Sequence, residues 1–286
     1  MTACMRGPWV PSGYLSVGGK SIEYGCWGPS PAQAPTLVLL HEGLGCTTLW
    51  RDFPNKLAEV TGLGVFAYSR AGYGQSDAAD LPRPLDYMTL EATHVLPAVL
   101  DTIGVSSAVL VGHSDGASIA AIYAGSVSDR RVQDPVQCPV QGLVQGLVLM
   151  APHFFTEPMG LKEIAVAKSV YEAGNLKDKM SRYHADPDNA FRGWNDTWLH
   201  PDFASWNVSE LIDDIRVPVL AIQGEDDQYG TMAQIEEIEK RCKAPVKTVI
   251  LEECRHAPFL EQPERVLAEC ELFYSQLELV KAQESA

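Results

Sequence analysis

Six short apolar runs place the strongest constraint on the fold of this chain. None of them alternates between polar and apolar residues, and most are separated by stretches with helical periodicity. Such runs are typical of strands that are buried on both faces, in a parallel sheet covered by helices. The sequence therefore predicts an α/β fold with a mostly parallel sheet flanked by helices. The runs are TLVLL (36–40), GVFAYS (64–69), SAVLVG (107–112), GLVLMA (146–151), PVLAIQG (218–224) and KTVIL (247–251).

Two extended segments precede these runs. Tyr14–Val17 and Ile22–Trp27 are joined by Gly18 and Gly19. A Gly-Gly pair suits the tight turn of a β-hairpin, because glycine adopts positive φ without a steric penalty. The chain is therefore predicted to begin with a hairpin, ahead of the Pro-rich linker PSPAQAP (29–35).

The stretch between the fourth and fifth apolar runs does not follow the alternation of strands and helices. From Phe154 to Val208 the sequence is helical in pattern and rich in aromatic residues. We predict an inserted helical cap at residues 153–208, with the core formed by residues 1–152 and 209–286. The segment VQDPVQCPVQGLVQG (132–146) repeats a Val-Gln unit and predicts a lengthened loop without a functional role.

The pentapeptide GHSDG (112–116) lies between an apolar strand and a helical stretch, ASIAAIYAG. In a G-x-S-x-G placed in this way, the glycines let the chain turn sharply, so that the central serine hydroxyl projects from the edge of the sheet. Ser114 is therefore either an ordinary serine in a turn or a nucleophile held on one. The choice depends on whether the chain supplies partners for it.

A nucleophilic serine needs a base within hydrogen-bonding distance and a third group that orients the base. Both types of residue occur just beyond later strands. Asp226 and Asp227 follow PVLAIQG, and His256 follows KTVIL. The order serine, acid, histidine is that of the α/β-hydrolase triad.

Together these pieces resemble the α/β-hydrolase superfamily over nearly the whole chain. The resemblance rests on LLHEGLG (39–45), YSRAGYGQSD (68–77), GHSDG, GEDD (224–227) and RHAPFLEQP (255–263), in this order. It implies that Ser114 is the nucleophile and His256 the base. The family's acid usually lies three residues after the glycine that ends its strand, which implies Asp227, with Asp226 as the alternative.

The resemblance also implies an oxyanion hole made of two backbone N–H groups. One comes from Asp115, the residue after the nucleophile, and the other from Gly43, with Leu44 as the alternative. Glu42 stands where the family more often has glycine. The carboxylates of Glu42 and Asp115 therefore either lie close to the serine and disfavour anionic groups there, or point away and cap helix N-termini.

Aromatic residues of the predicted cap are candidates for substrate binding. Phe191, Trp194 and Trp198 are spaced i, i+3 and i+7, on one face of a helix. This face packs the cap onto the core, roofs an apolar acyl pocket, or does both. Trp50 and Glu42, near the predicted oxyanion loop, are further candidates for the same pocket.

Serine at the turn indicates acyl transfer, because members of this superfamily that open epoxides or displace halide carry aspartate there. The resemblance thus implies a serine hydrolase of a small or medium carboxylic ester, lactone or thioester, with an acyl-enzyme on Ser114 and no cofactor or metal. The alternatives are a carbon–carbon bond hydrolase of ring-cleavage products, a lyase that uses the serine as a base, and a ligand-binding receptor on the same fold.

Composition restricts the partners and the location. Lysine and arginine total 22 against 37 acidic residues, for a net charge of -15, and such a surface repels nucleic acid and anionic lipid. We expect a small-molecule substrate, no nucleic-acid or membrane partner, and a monomer or homodimer. The seven cysteines are scattered, and no apolar stretch reaches the roughly 18 residues that span a bilayer. These features, and an N-terminus without an apolar core, predict a cytoplasmic protein with reduced thiols.

Overall fold

The computed structural model describes residues 9–128 and 142–284, and the strands of this part of the chain form one eight-stranded sheet. The strands are β1 (Ser12–Val17), β2 (Lys20–Trp27), β3 (Thr36–Leu40), β4 (Gly64–Tyr68), β5 (Ala108–His113), β6 (Val144–Met150), β7 (Val219–Gly224) and β8 (Val246–Leu251). Their order is β1-β2-β4-β3-β5-β6-β7-β8. β2 pairs antiparallel with β1 and β4, and all other neighbours are parallel. The predicted hairpin and the mostly parallel sheet are confirmed.

The central strands are buried along their whole length, which explains why their sequences do not alternate. In β3, Leu37 and Leu39 belong to the hydrophobic core on one face of the sheet, whereas Val38 and Leu40 belong to the core on the other face. Successive side chains of a strand point to opposite faces. Since both faces are covered, every position of β3 is apolar or buried.

Helices cover both faces of the sheet. They are α1 (Phe53–Thr61), α2 (Tyr87–Leu90), α3 (Leu96–Thr102), α4 (Asp115–Ser128), α5 (Pro158–Glu172), α6 (Asn175–Met180), α7 (Pro187–Trp198), α8 (Ala233–Arg241), α9 (Pro258–Glu261) and α10 (Pro263–Glu284). A π-helical turn at Glu91–Val95 joins α2 to α3. α1 and α10 pack on one face of the sheet, and α2, α3, α4 and α8 pack on the other.

The segment predicted as a cap contains α5, α6, α7 and a 3-10 turn at Pro201–Ser205. Its two ends lie side by side, because Phe155 forms a β-bridge with Asn207 and the Val208 N–H donates to the Phe154 carbonyl at 2.7 Å. The segment therefore leaves the sheet after β6 and returns next to its point of departure. This arrangement agrees with an insertion, and the exact boundaries of the two domains stay a prediction.

The predicted Val-Gln loop falls mostly on residues 129–141, which lie outside the described residues. Its last Val-Gln pair, Val144-Gln145, begins β6. Within the two described ranges, none of the helices combines the length and the apolar character needed to cross a bilayer.

Candidate active site

Ser114 is the single residue between β5 and α4, and its backbone makes the turn. Its φ is 53°, in the left-handed region, which costs a residue with a side chain roughly 1–2 kcal/mol. Hydrogen bonds hold this conformation: Ser114 N–H donates to the Met150 carbonyl at 2.9 Å, and its own carbonyl accepts from Ala117 N–H at 2.8 Å. The serine therefore sits on a strained turn at the carboxyl edge of the sheet.

The two glycines of GHSDG allow close packing rather than an unusual φ. A Cβ on Gly116 would lie 1.9 Å from the Leu40 carbonyl oxygen, and one on Gly112 would lie 2.4 Å from the Gly116 carbonyl oxygen. Neither residue has a positive φ. The left-handed conformation is taken by the serine itself, and the glycines let α4 start directly against β3 and β5.

Asp227 is the acid that contacts His256. Its two carboxylate oxygens lie 2.9 and 2.8 Å from His256 Nδ1. The Tyr229 N–H and the Gln223 side-chain amide also donate to this carboxylate, each at 2.8 Å. Asp226, the alternative, is exposed and uses its N–H on the Cys254 carbonyl. The structure therefore brings Asp227, and not Asp226, to the histidine.

The Asp227 carboxyl group is held in its ionised form. Burial opposes ionisation, but the hydrogen bond and charge of His256 and the Tyr229 N–H outweigh burial and lower the pKa of Asp227 below its usual value. A carboxylate at Nδ1 makes Nδ1 the protonated ring nitrogen of neutral His256. The other nitrogen, Nε2, is then free to accept a proton.

Ser114 and His256 line the same cavity. The carboxyl ends of β3, β5 and β6 form its floor, as expected for a site in an open parallel sheet. Helices α5 and α7 form its roof. The lining residues are Glu42, Gly43, Leu44, Ser114, Asp115, His153, Glu157, Gly160, Leu161, Ile164, Trp194, Trp198, Tyr229 and His256.

The predicted oxyanion loop is a tight turn beside Ser114. Gly45 N–H donates to the Glu42 carbonyl at 3.1 Å, which leaves the N–H groups of Gly43 and Leu44 unused by the turn's own hydrogen bond. Trp194 packs so closely that a Cβ on Gly43 would lie 2.2 Å from the indole Nε1. The Trp194 indole of α7 therefore leaves no room for a side chain at position 43.

A buried arginine fixes this loop. The Arg70 guanidinium donates to the carbonyls of His41 and Glu42, at 2.5 and 2.9 Å. The Arg70 N–H donates to His41 Nε2 at 3.0 Å, so His41 Nδ1 carries the hydrogen and donates to the Glu42 carbonyl at 2.7 Å. Burial and the Arg70 charge hold the pKa of His41 well below its usual value, so the ring stays neutral.

Glu42 lines the same cavity as Ser114, which agrees with the interpretation that its carboxylate lies close to the serine. Its Oε2 is 3.4 Å from His113 Nδ1, and a quarter of its side chain is exposed. Burial raises the pKa of Glu42, but the His113 contact and the Arg70 charge outweigh burial and lower it. The carboxylate is therefore ionised at neutral pH.

Asp115 also lines the cavity, and its carboxylate is bound by a tyrosine rather than by helix N–H groups. The Tyr87 hydroxyl donates to Asp115 Oδ2, and the Trp198 Nε1–H donates to the Tyr87 oxygen at 3.1 Å. Burial is the main reason that the pKa of Asp115 is raised. The backbone of Asp115 begins α4, where N–H groups have no partner within the helix.

Trp50 does not line this cavity, contrary to the expectation from the sequence. Its side chain packs in the core on the opposite face of the sheet, with ring centroids 5.9 Å from Phe53 and 4.5 Å from Phe259. The 3-10 turn at Thr47–Trp50 places the indole beneath the sheet edge rather than above it. Trp194 and Trp198, in contrast, are in the roof as proposed.

Six lining residues were not identified from the sequence: Gly160, Leu161 and Ile164 of α5, and the polar residues His153, Glu157 and Tyr229. His153 lies three residues after Met150, the end of β6, and its ring centroid is 5.6 Å from that of His256. Tyr229 packs on His256 with a centroid distance of 4.7 Å, and Glu157 precedes α5. His153 was open to prediction, because the reasoning that placed Asp227 and His256 beyond strand ends applies to it equally.

Known proteins are similar to this chain in sequence and in fold. A sequence profile of the alpha/beta hydrolase family matches residues 37–269. The chain therefore belongs to the alpha/beta hydrolase family, and it is an enzyme of the hydrolase class.

Two relatives are similar in sequence. The bifunctional esterase/perhydrolase DCH of Acinetobacter calcoaceticus is 27% identical over 245 residues, covering 76% of this chain and 82% of that protein. Epoxide hydrolase B of Mycobacterium tuberculosis is 30% identical over 118 residues, but these cover only 41% of this chain and 32% of that protein.

Among solved structures, a thermophilic esterase from Thermogutta terrifontis superposes with a TM-score of 0.69 at 15% identity. The match covers 94% of this chain and 99% of the esterase. At this identity the likeness shows the fold alone, and it bears out the predicted α/β-hydrolase fold.

Proposed function

We propose that this enzyme hydrolyses a small or medium carboxylic ester, lactone or thioester through an acyl-enzyme on Ser114. One observation carries the proposal: His256, whose Nδ1 lies 2.9 and 2.8 Å from the two Asp227 carboxylate oxygens, lines the same cavity as Ser114, which is held at positive φ. Acyl transfer by a serine uses a nucleophile, a base and an orienting acid at one site.

The residues act in a fixed order in this mechanism. The Ser114 Oγ attacks the acyl carbon while His256 Nε2 takes up its proton, and Asp227 stabilises the imidazolium that forms. The oxyanion accepts hydrogen bonds from the N–H groups of Asp115 and of Gly43 or Leu44, each worth about 3 kcal/mol. His256 then gives its proton to the leaving group, and water, activated by the same histidine, releases the acid.

The nature of the relatives supports acyl chemistry. The relative matched over most of both chains is named an esterase and perhydrolase. The epoxide hydrolase match is partial, and superfamily members with that activity carry aspartate at the position of Ser114. Epoxide opening is therefore not favoured for this chain.

Labelling with a fluorophosphonate tests the proposal. Intact-protein mass should show one adduct on the wild type and on Ser16→Ala, an exposed serine of β1 that serves as the control. The adduct should be lost in Ser114→Ala, together with turnover of p-nitrophenyl esters. A folded wild type without an adduct would contradict the proposal and favour a ligand-binding receptor on the same fold.

A further inference from the structure

The catalytic cavity is lined by acidic residues and not by basic ones. Among the described residues, Glu42, Asp115 and Glu157 line it, and neither lysine nor arginine does. Glu42 belongs to the oxyanion loop and Glu157 precedes α5 in the roof. Acidic residues therefore belong to both the floor and the roof of the cavity.

The roof carboxylate is held in place by several donors. Glu157 accepts hydrogen bonds from the Thr231 N–H at 3.0 Å, the Thr231 hydroxyl at 2.5 Å and the Gln234 amide at 2.7 Å. None of these donors carries a charge. The hydrogen bonds orient the carboxylate without neutralising it.

Arg70 and Arg83, whose charges act on Asp115, hydrogen-bond to groups of the protein itself. Arg70 is 1% exposed and donates to backbone carbonyls behind the oxyanion loop. Arg83 lies against the Tyr73 and Tyr87 rings and donates to the Ala71 carbonyl. Neither guanidinium is placed to bind a carboxylate of a substrate.

The remaining histidine of the cavity is also uncharged. Burial, with a smaller contribution from His256, lowers the pKa of His153 to about 3. The rest of the wall is apolar and aromatic, formed by Leu44, Leu161, Ile164, Trp194 and Trp198. The cavity thus offers apolar contact and no positive charge.

We propose that this cavity selects substrates whose acyl part is uncharged and apolar, and excludes substrates that carry a carboxylate. The inference rests on the proposed function and adds the substrate class to it. Like charges repel strongly where water is excluded, because the effective dielectric constant is low. A substrate carboxylate would also lose its hydration without gaining a cationic partner.

The same argument bears on the carbon–carbon hydrolase alternative. Oxidative opening of an aromatic diol leaves at least one carboxylate on the product. The carboxylate of such a substrate would find neither lysine nor arginine among the described lining residues. The cavity is therefore suited to a neutral ester or lactone rather than to a ring-cleavage product.

A matched pair of esters tests the proposal. p-Nitrophenyl hexanoate and mono-p-nitrophenyl adipate share one acyl-chain length and differ in a terminal carboxylate. We expect kcat/KM for the adipate to be lower than kcat/KM for the hexanoate by about 100-fold or more. We expect Glu42→Gln and Glu157→Gln each to reduce the ratio of these two values by roughly tenfold. A general loss of activity in a variant lowers kcat/KM for both esters by the same factor, so it leaves their ratio unchanged. The control is Glu59→Gln, an exposed residue of α1 on the opposite face of the sheet, which should leave the ratio unchanged.

The outcomes separate this proposal from the proposed function. Equal turnover of both esters, abolished by Ser114→Ala, would overturn the charge selection and leave the serine mechanism intact. A ratio that narrows equally in Glu59→Gln would assign the effect to the net charge of the protein rather than to the cavity. Labelling of Ser114 without turnover of the hexanoate would overturn the preference for an apolar acyl group, whereas absence of labelling would contradict the serine mechanism itself.

Discussion

The Tyr87 hydroxyl donates its hydrogen to the carboxylate of Asp115, the residue directly after Ser114. Trp198, at the end of α7, donates to the same tyrosine oxygen at 3.1 Å. A continuous chain of hydrogen bonds therefore joins α7 to Asp115, whose backbone N–H is proposed for the oxyanion hole. Within the described part of the chain, Asp115 Oδ1 is buried and has no partner.

Removing the tyrosine hydroxyl should therefore be costly. In Tyr87→Phe both oxygens of a buried carboxylate lack a donor, and we expect the free energy of unfolding to fall by roughly 1–3 kcal/mol. We also expect kcat to fall while KM changes little, because the tyrosine positions the turn that carries Ser114 without touching the substrate. Urea unfolding and steady-state kinetics measure both effects.

The control for this variant is Tyr14→Phe, whose hydroxyl is on an exposed residue of β1. This variant should change neither the free energy of unfolding nor kcat. Equal stability of Tyr87→Phe and the wild type would show that the hydrogen bond to Asp115 is not needed to compensate burial of the carboxylate.

The two adjacent aspartates after β7 should differ sharply in their effect on catalysis. Asp227→Asn removes the charge that orients His256 and should lower kcat by on the order of 10³–10⁴-fold. Asp226→Asn alters an exposed side chain and should stay within about twofold. Kinetics of the two variants on one p-nitrophenyl ester provide the comparison, with thermal melts to show that both are folded. The reverse ranking would move the acid assignment to Asp226.

The contact between Gly43 and Trp194 predicts a coupled pair of substitutions. Gly43→Ala places a methyl group where the indole lies, so it should displace either the oxyanion loop or α7 and lower kcat/KM by at least tenfold. Trp194→Ala opens that space. In the Trp194→Ala background the added methyl should cost much less, and a double-mutant cycle measures the difference. Additive effects would mean that the indole is not what excludes a side chain at position 43.

His153 should make the protein less stable in mild acid. Its pKa is lowered from 6.5 to about 3, mainly by burial, so the unfolded chain takes up a proton before the folded protein does. The stability that depends on neutral His153 is complete above about pH 6.5 and is lost as the pH falls toward 3. Near pH 5 the loss should be roughly 2 kcal/mol.

Urea unfolding between pH 7 and about pH 4 tests this expectation. The wild type should lose stability more steeply than His153→Gln, which has no proton to gain at this position. His200→Gln, with 48% of its side chain exposed, is the matched control and should follow the wild type. Parallel curves for His153→Gln and the wild type would contradict the prediction.

The strands were predictable because burial on both faces leaves a local signal. Each residue of β3 must be apolar or buried, and the run TLVLL shows it without any knowledge of its neighbours. Ser114, Asp227 and His256 were predictable for a related reason, since each lies within five residues of the end of a strand. The parallel arrangement of β5, β7 and β8 then brings the three ends to one edge of the sheet.

Contacts between distant segments left no comparable signal. Tyr87 and Asp115 are far apart in the sequence, and nothing in the periodicity of α2 indicates that the Tyr87 hydroxyl would reach the turn that carries Ser114. Trp50 shows the opposite error, because an aromatic residue close to the oxyanion loop in sequence lies beneath the sheet edge in space. Whether a side chain after a loop packs on one face of the sheet or on the other depends on how the loop folds. Composition and residue spacing do not predict this.

The anchoring of the oxyanion loop has a consequence for how the enzyme responds to pH. Arg70 retains its charge at any pH at which a protein stays folded, and the lowered pKa of His41 keeps that ring neutral. Neither member of the anchor changes protonation in the neutral range. The loop therefore keeps one conformation across that range. A bell-shaped or sigmoidal pH–rate profile would then reflect protonation of the reacting groups and not a change in the loop.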